Sequence, residues 1–93
     1  MSEINKLFGG VLRSARDSEN MTQDDLATAI GLSRTAITNI EAGKQGTTIE
    51  ILYRIAKVLG VEPSDLLPSV STSDISSVIT DKSNAEKIRK YSS

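Results

Sequence analysis

The chain has 93 residues, of which 38 % are hydrophobic, which sets the scale of one small domain with a tail. It contains neither cysteine nor histidine, which excludes a disulfide framework, a thiolate or imidazole zinc site and any mechanism built on an imidazole base. The formal net charge of −1 means that positive groups must gather on one face if the partner is a polyanion, and that non-specific attraction to it is weak.

In chain order, Ile4, Leu7, Phe8, Val11, Leu12 and Ala15 recur at helical spacing and predict a first helix over Ile4 to Asp17. Gly9 and Gly10 interrupt it at a cost of about 1 kcal/mol each relative to alanine, and a close helix contact would account for Gly9. A polar connection from Asp17 to Met21 follows. Thr22 with Asp25 has the form of a capping box, opening a second helix over Gln23 to Ile30. Gly31 suits a sharp turn, because it takes positive φ at little steric cost. Ser33 is the expected cap of a third helix from Arg34 to about Ala42, stopped by Gly43.

Lys44 to Gly46 reads as a loop. Thr47 with Glu50 predicts a second capping box and a fourth helix over Thr48 to Leu59, ended by Gly60. Ile49, Ile51, Leu52, Tyr53, Ile55, Ala56, Val58 and Leu59 cover most of its circumference, so it is expected to be the buried centre. Pro63 suits the first turn of a short fifth helix, which Pro68 closes after Leu67. The expected fold is all-α.

The stretch Gln23 to Ala42 has the layout of a helix-turn-helix. Ala27 is small enough for two helices to cross closely, and Ile37 and Ile40 turn one stripe of the third helix to the core. The opposite face, with Arg34, Thr35, Thr38 and Asn39, stays polar. Those side chains have the chemistry to meet base edges in a major groove: arginine pairs with guanine, asparagine with adenine, and a threonine methyl touches thymine.

Met21-Thr22-Gln23, Leu26-Ala27, Gly31-Leu32-Ser33, Ile40-Glu41-Ala42-Gly43-Lys44 and the run Leu52 to Leu67, ending in Val61-Glu62-Pro63-Ser64-Asp65-Leu66-Leu67, occur in order. In this set the chain resembles the phage-repressor and Cro family, called XRE-like. The resemblance implies a compact five-helix, lambda-repressor-like DNA-binding domain over residues 1–68, with the helix-turn-helix at about 23–42. It places Gln23 beside a DNA phosphate at a helix N-terminus and Arg34, Thr35, Thr38 and Asn39 on the bases, with Arg34 alternatively on a phosphate. Ser33, Lys44 and Gln45 become backbone-positioning groups, joined by Thr47 if it is not a cap, and exposed Arg13 can reach a phosphate. Arg16 and Glu41 match a structural pair tying the first helix to the end of the third. Dimerisation is implied around Val61, Leu66 and Leu67, unless Leu66 and Leu67 both complete the protomer's own core.

The function implied is sequence-specific binding of double-stranded DNA with a palindromic operator by a homodimer that regulates transcription, as a repressor first. Activation would need an acidic surface, for which Asp24, Asp25 and Glu19 are candidates. The alternatives are an antitoxin, or another partner-binding module that also binds DNA, and a restriction–modification controller. No cofactor or metal is expected, and no enzyme activity. Gly43-Lys44-Gln45-Gly46 lacks the spacing of a phosphate-binding loop and a preceding strand. The start of the chain lacks the pattern of a signal peptide and no stretch is apolar enough to span a membrane, so a cytoplasmic protein without membrane contact is expected.

From residue 69 to 93 the composition turns to serine and threonine. Ile75, Val78 and Ile79 keep helical spacing, and Ser83 with Glu86 can cap a turn around Ile88 and Tyr91. Two readings stay open: a flexible tail, or a short docking or dimerisation element for this domain, a second copy or a protein partner.

Overall fold

The computed structural model describes residues 3–69. Residues 70–93, nearly all of the Ser-rich stretch, lie outside the described residues, with the readings made on Ile75, Val78, Ile79, Ser83, Glu86, Ile88 and Tyr91. Among the described residues four α-helices, α1 (Glu3–Ser18), α2 (Gln23–Ile30), α3 (Arg34–Glu41) and α4 (Ile49–Leu59), are followed by one turn of 3-10 helix (Pro63–Leu66). The expected fifth helix is therefore a single tight turn. Pro63 starts it without an N–H to donate, and Leu67 already has extended backbone.

Local chemistry sets most element ends. The Thr22 hydroxyl accepts from the Asp25 N–H at 3.0 Å, and the Asp25 carboxylate accepts from the Thr22 N–H at 3.0 Å. Hydrogen bonding to the carboxylate, from the Thr22 N–H first and the Thr22 side chain second, holds the Asp25 carboxyl below its ordinary range. Gly31 ends α2 at φ 76°, where its N–H returns to the Ala27 carbonyl. Ser33 caps α3 by accepting from the Ala36 N–H at 3.1 Å.

The start of α4 differs from the sequence reading. Thr48 is the cap, accepting from the Ile51 N–H at 3.1 Å, while the Thr47 hydroxyl donates to the Thr48 carbonyl at 3.3 Å. Glu50 takes no part in a capping box and pairs with Arg54 at 2.7 Å. Two adjacent threonines have equal capping chemistry. Tertiary packing decides between them, through the register that turns Leu52, Ile55, Ala56 and Leu59 inward.

The core joins Phe8 and Leu12 of α1, Leu26, Ala27 and Ile30 of α2, Ile37 and Ile40 of α3, the four inward residues of α4, and Leu66. Burying each of the leucine, isoleucine and phenylalanine side chains among them is worth about 1.5–3 kcal/mol. Helix α4 is not buried all round, because Ile49 is 75 % and Tyr53 58 % exposed. Leu66 and Leu67 divide: Leu66 lies 1 % exposed in the protomer's own core and Leu67 is 55 % exposed. Gly9 sits where α1 meets the end of α3. A Cβ there would lie 2.6 Å from the Ile40 carbonyl oxygen and still closer to that of Glu41, whereas one at Gly10 would meet nothing within 4 Å.

Candidate nucleic-acid interface

The site is anchored from inside. The Arg16 guanidinium, on the last turn of α1, donates through Nε to Glu41 Oε2 at 2.7 Å and through Nη2 to Glu41 Oε1 at 3.0 Å. Its Nη1 donates to the Met21 carbonyl at 2.6 Å. The two side chains are only 9 % and 4 % exposed, so this is a fork-to-fork ion pair largely out of water. Hydrogen bonding to Glu41 is the first cause raising Arg16 above its ordinary pKa, and it outweighs the opposing effect of burial. The pair ties α1 to the end of α3 and holds the turn leading into α2.

On that base sits Gln23, the first residue of α2. Its Nε2 donates to Glu41 Oε1 at 3.1 Å, and its Oε1 accepts from the Thr38 hydroxyl at 2.8 Å. Thr38 lies within 3.0 Å of the Arg34 carbonyl as well. Arg34 extends into solvent, with Nη1 3.8 Å from Asp24 Oδ2, both side chains about two-thirds exposed. Such a surface pair is worth about 0–1 kcal/mol and opens readily for another anion. A cleft of about 520 Å³ at the start of α2 is lined by Arg16, Asp17, Met21, Thr22, Gln23, Asp24 and Arg34. The free N–H groups and positive dipole end of α2 complement a negative group there.

The structure brings Gln23, Arg34 and Thr38 to one surface at the junction of α2 and α3. Thr35 is exposed near the start of α3, and Asn39 is half-buried one turn further on. Lys44 and Gln45 stand exposed in the loop after α3, where both N–H groups return to the Asn39 carbonyl, at 2.9 and 3.4 Å. Ser33 is exposed, with its hydroxyl committed as the α3 cap acceptor. Arg13 is exposed and 4.0 Å from Asp17. Of the three residues expected at a dimer interface, Val61 is half-buried against the core, Leu66 is buried in it and Leu67 is exposed. Sequence reasoning missed the contacts of Gln23 with Thr38 and Glu41. They span 15 and 18 residues, and no periodicity signals them.

A helix-turn-helix family model matches residues 12–66, well over half of the chain and all of the α2–α3 unit. The chain belongs to the helix-turn-helix family of DNA-binding transcriptional regulators. Control protein C.BamHI of Bacillus amyloliquefaciens is 42 % identical over 67 residues, covering 71 % of this chain and 83 % of that protein. Among solved structures, the restriction–modification controller protein C.AhdI from Aeromonas hydrophila aligns at TM-score 0.66 and 28 % identity, covering 68 % of this chain and 96 % of its own. The P22 c2 repressor, solved with a synthetic operator, aligns at TM-score 0.62 and 30 % identity, over 66 % of this chain and 92 % of its own. Hydroxypropylphosphonic acid epoxidase from S. wedmorenis aligns at TM-score 0.70 and 28 % identity over 76 % of this chain. That match takes in only 38 % of the epoxidase, and so is a likeness of one part of it. Among the described residues no group of acidic side chains could hold a metal ion, and no helix is long and apolar enough to cross a membrane.

Proposed function

We propose that a homodimer of this chain binds a palindromic DNA operator and regulates transcription by occluding a promoter, without enzymatic activity. The observation that carries this reading is the α2–α3 unit. Gln23 stands at the N-terminus of α2 beside the cleft, and Arg34, Thr35 and Asn39 stand along α3 with Thr38 beside them. In this reading α3 lies in the major groove, Arg34, Thr35 and Asn39 reach base edges, and Gln23, Ser33, Lys44 and Gln45 hold the phosphates. A single unit makes few base contacts, so two copies on two half-sites supply the specificity. Exposed Leu67 and Ile49 border an apolar groove with Ile4, Phe8 and Pro68, and half-buried Val61 follows α4. This face suits a second copy better than solvent. Leu66 serves the core instead.

A second, more specific reading is control of a restriction–modification operon, favoured by the 42 % identity to C.BamHI and the likeness to C.AhdI. Selecting bound duplexes from a random pool, with sedimentation of the free chain and the complex, tests both. The expected outcome is a palindrome with half-sites about 34 Å apart, bound by two chains. A pool with no enriched sequence would refute operator binding, and an enriched site bound by one chain would refute the dimer. An enriched site upstream of restriction and modification genes in the source genome would support the second reading.

A further inference from the structure

Thr38 stands on the exposed face of α3, yet its hydroxyl already has two acceptors in reach, Gln23 Oε1 at 2.8 Å and the Arg34 carbonyl at 3.0 Å. A hydroxyl carries one proton, so its neighbours decide where it points. An ionised carboxylate can only accept, which turns the Gln23 Nε2 toward Glu41 and the amide oxygen toward Thr38. The amide oxygen cannot donate. The Thr38 proton must therefore face it for a 2.8 Å contact to be attractive. Glu41 is itself fixed by Arg16, with a side chain only 4 % exposed. The result is a relay from the surface of α3 to the buried ion pair, in which Thr38 donates to Gln23 and Gln23 donates to Glu41. The second N–H of the Gln23 amide takes no partner among the described residues.

We propose that Thr38 is a positioning residue for the phosphate contact. Its hydroxyl holds the Gln23 amide in one orientation, with the remaining N–H presented to the DNA backbone. Thr38 thereby acts on affinity for every sequence alike, and its donor is not available to a base. This rests on the operator-binding reading above, and it assigns to Thr38 a different task from base readout. The physical basis is preorganisation: an amide already held by two partners loses little freedom when it binds a phosphate.

The test measures affinities of the native chain and of Thr38→Val, Thr38→Ser, Gln23→Ala and the Gln23→Ala/Thr38→Val pair. The duplexes are the site selected by the native chain and a set of single-base variants of it. Thr38→Val keeps the shape of the side chain and is expected to weaken all duplexes by one common factor of about three- to tenfold. Thr38→Ser restores binding. In the Gln23→Ala background Thr38→Val has no further effect. Equal losses in both backgrounds, or a changed ranking of the variant duplexes, would overturn the proposal. A measurement without DNA separates the geometry from the reading it rests on. The Gln23 side-chain amide resonances are expected to move in Thr38→Val and return in Thr38→Ser, and unmoved resonances would remove the link itself. If the native chain selects no duplex, operator binding fails and the phosphate role with it, whatever the resonances show.

Discussion

Glu41→Ala tests how much the domain depends on the Arg16–Glu41 pair. The substitution strands the Arg16 side chain, 9 % exposed in the native chain, and removes the acceptors of three hydrogen bonds, two from Arg16 at 2.7 and 3.0 Å and one from Gln23 at 3.1 Å. Breaking one side of a buried pair costs about 3–5 kcal/mol, because the remaining charge is left uncompensated. Two contacts soften this: Nη1 keeps the Met21 carbonyl at 2.6 Å, and Asp17, largely exposed, lies 3.3 Å away. The expected loss is therefore near the lower end, about 3 kcal/mol. A domain of this size has a total stability of only about 5–10 kcal/mol, and the melting point falls by about 12–24 °C. Urea unfolding followed by far-UV circular dichroism reads the loss directly, with the slope of the transition checked for two-state behaviour. Replacing both partners, as Arg16→Met with Glu41→Leu, removes the stranded charge and is expected to regain most of the stability. A Glu41→Ala loss below about 1 kcal/mol, the range of a surface pair, would refute the treatment of this pair as buried.

Gly9→Ala and Gly10→Ala are neighbouring changes on α1 with opposite expected signs. The first drives a methyl into the backbone carbonyls of Ile40 and Glu41 and is expected to destabilise by about 1–3 kcal/mol. The second meets open space and is expected to stabilise by up to about 1 kcal/mol in the same unfolding assay. Asn39→Ala is expected to change base preference in duplex selection at a cost of about 1–3 kcal/mol for the preferred site. Its melting curve is expected to stay close to that of the native chain, as for other changes away from the core. Asp25, held below its ordinary carboxyl range by Thr22, contributes stability that is fully present above that range. That contribution is lost as pH falls through the lowered folded value. The stability gap between the native chain and Asp25→Asn is thus expected to be constant near neutrality and to close in acid, as read by unfolding at a series of pH values.

Features that depend on neighbours within about one helical turn were legible from the residues alone. Thr22 with Asp25, Ser33 and Gly31 carry their capping and turn chemistry within three or four positions, and α2 and α3 start where these residues stand. The spacing of Ala27, Ile37 and Ile40 likewise made the crossing helices legible, because helical periodicity alone turns those residues inward. Tertiary structure alone decided what depends on residues brought together from afar. Thr47 and Thr48 are locally equivalent, and only the packing of α4 chose the second. Leu66 and Leu67 have nearly the same side-chain chemistry, and one tight turn after Pro63 buried the first and exposed the second. Gly9 faces the end of α3 and Gly10 faces open space, a distinction set by a helix more than twenty residues away. The relay from Thr38 through Gln23 to Glu41 has the same origin. Gln23 lies 15 and 18 residues from its two partners on α3, and each hydrogen bond exists only because the core holds α2 against α3.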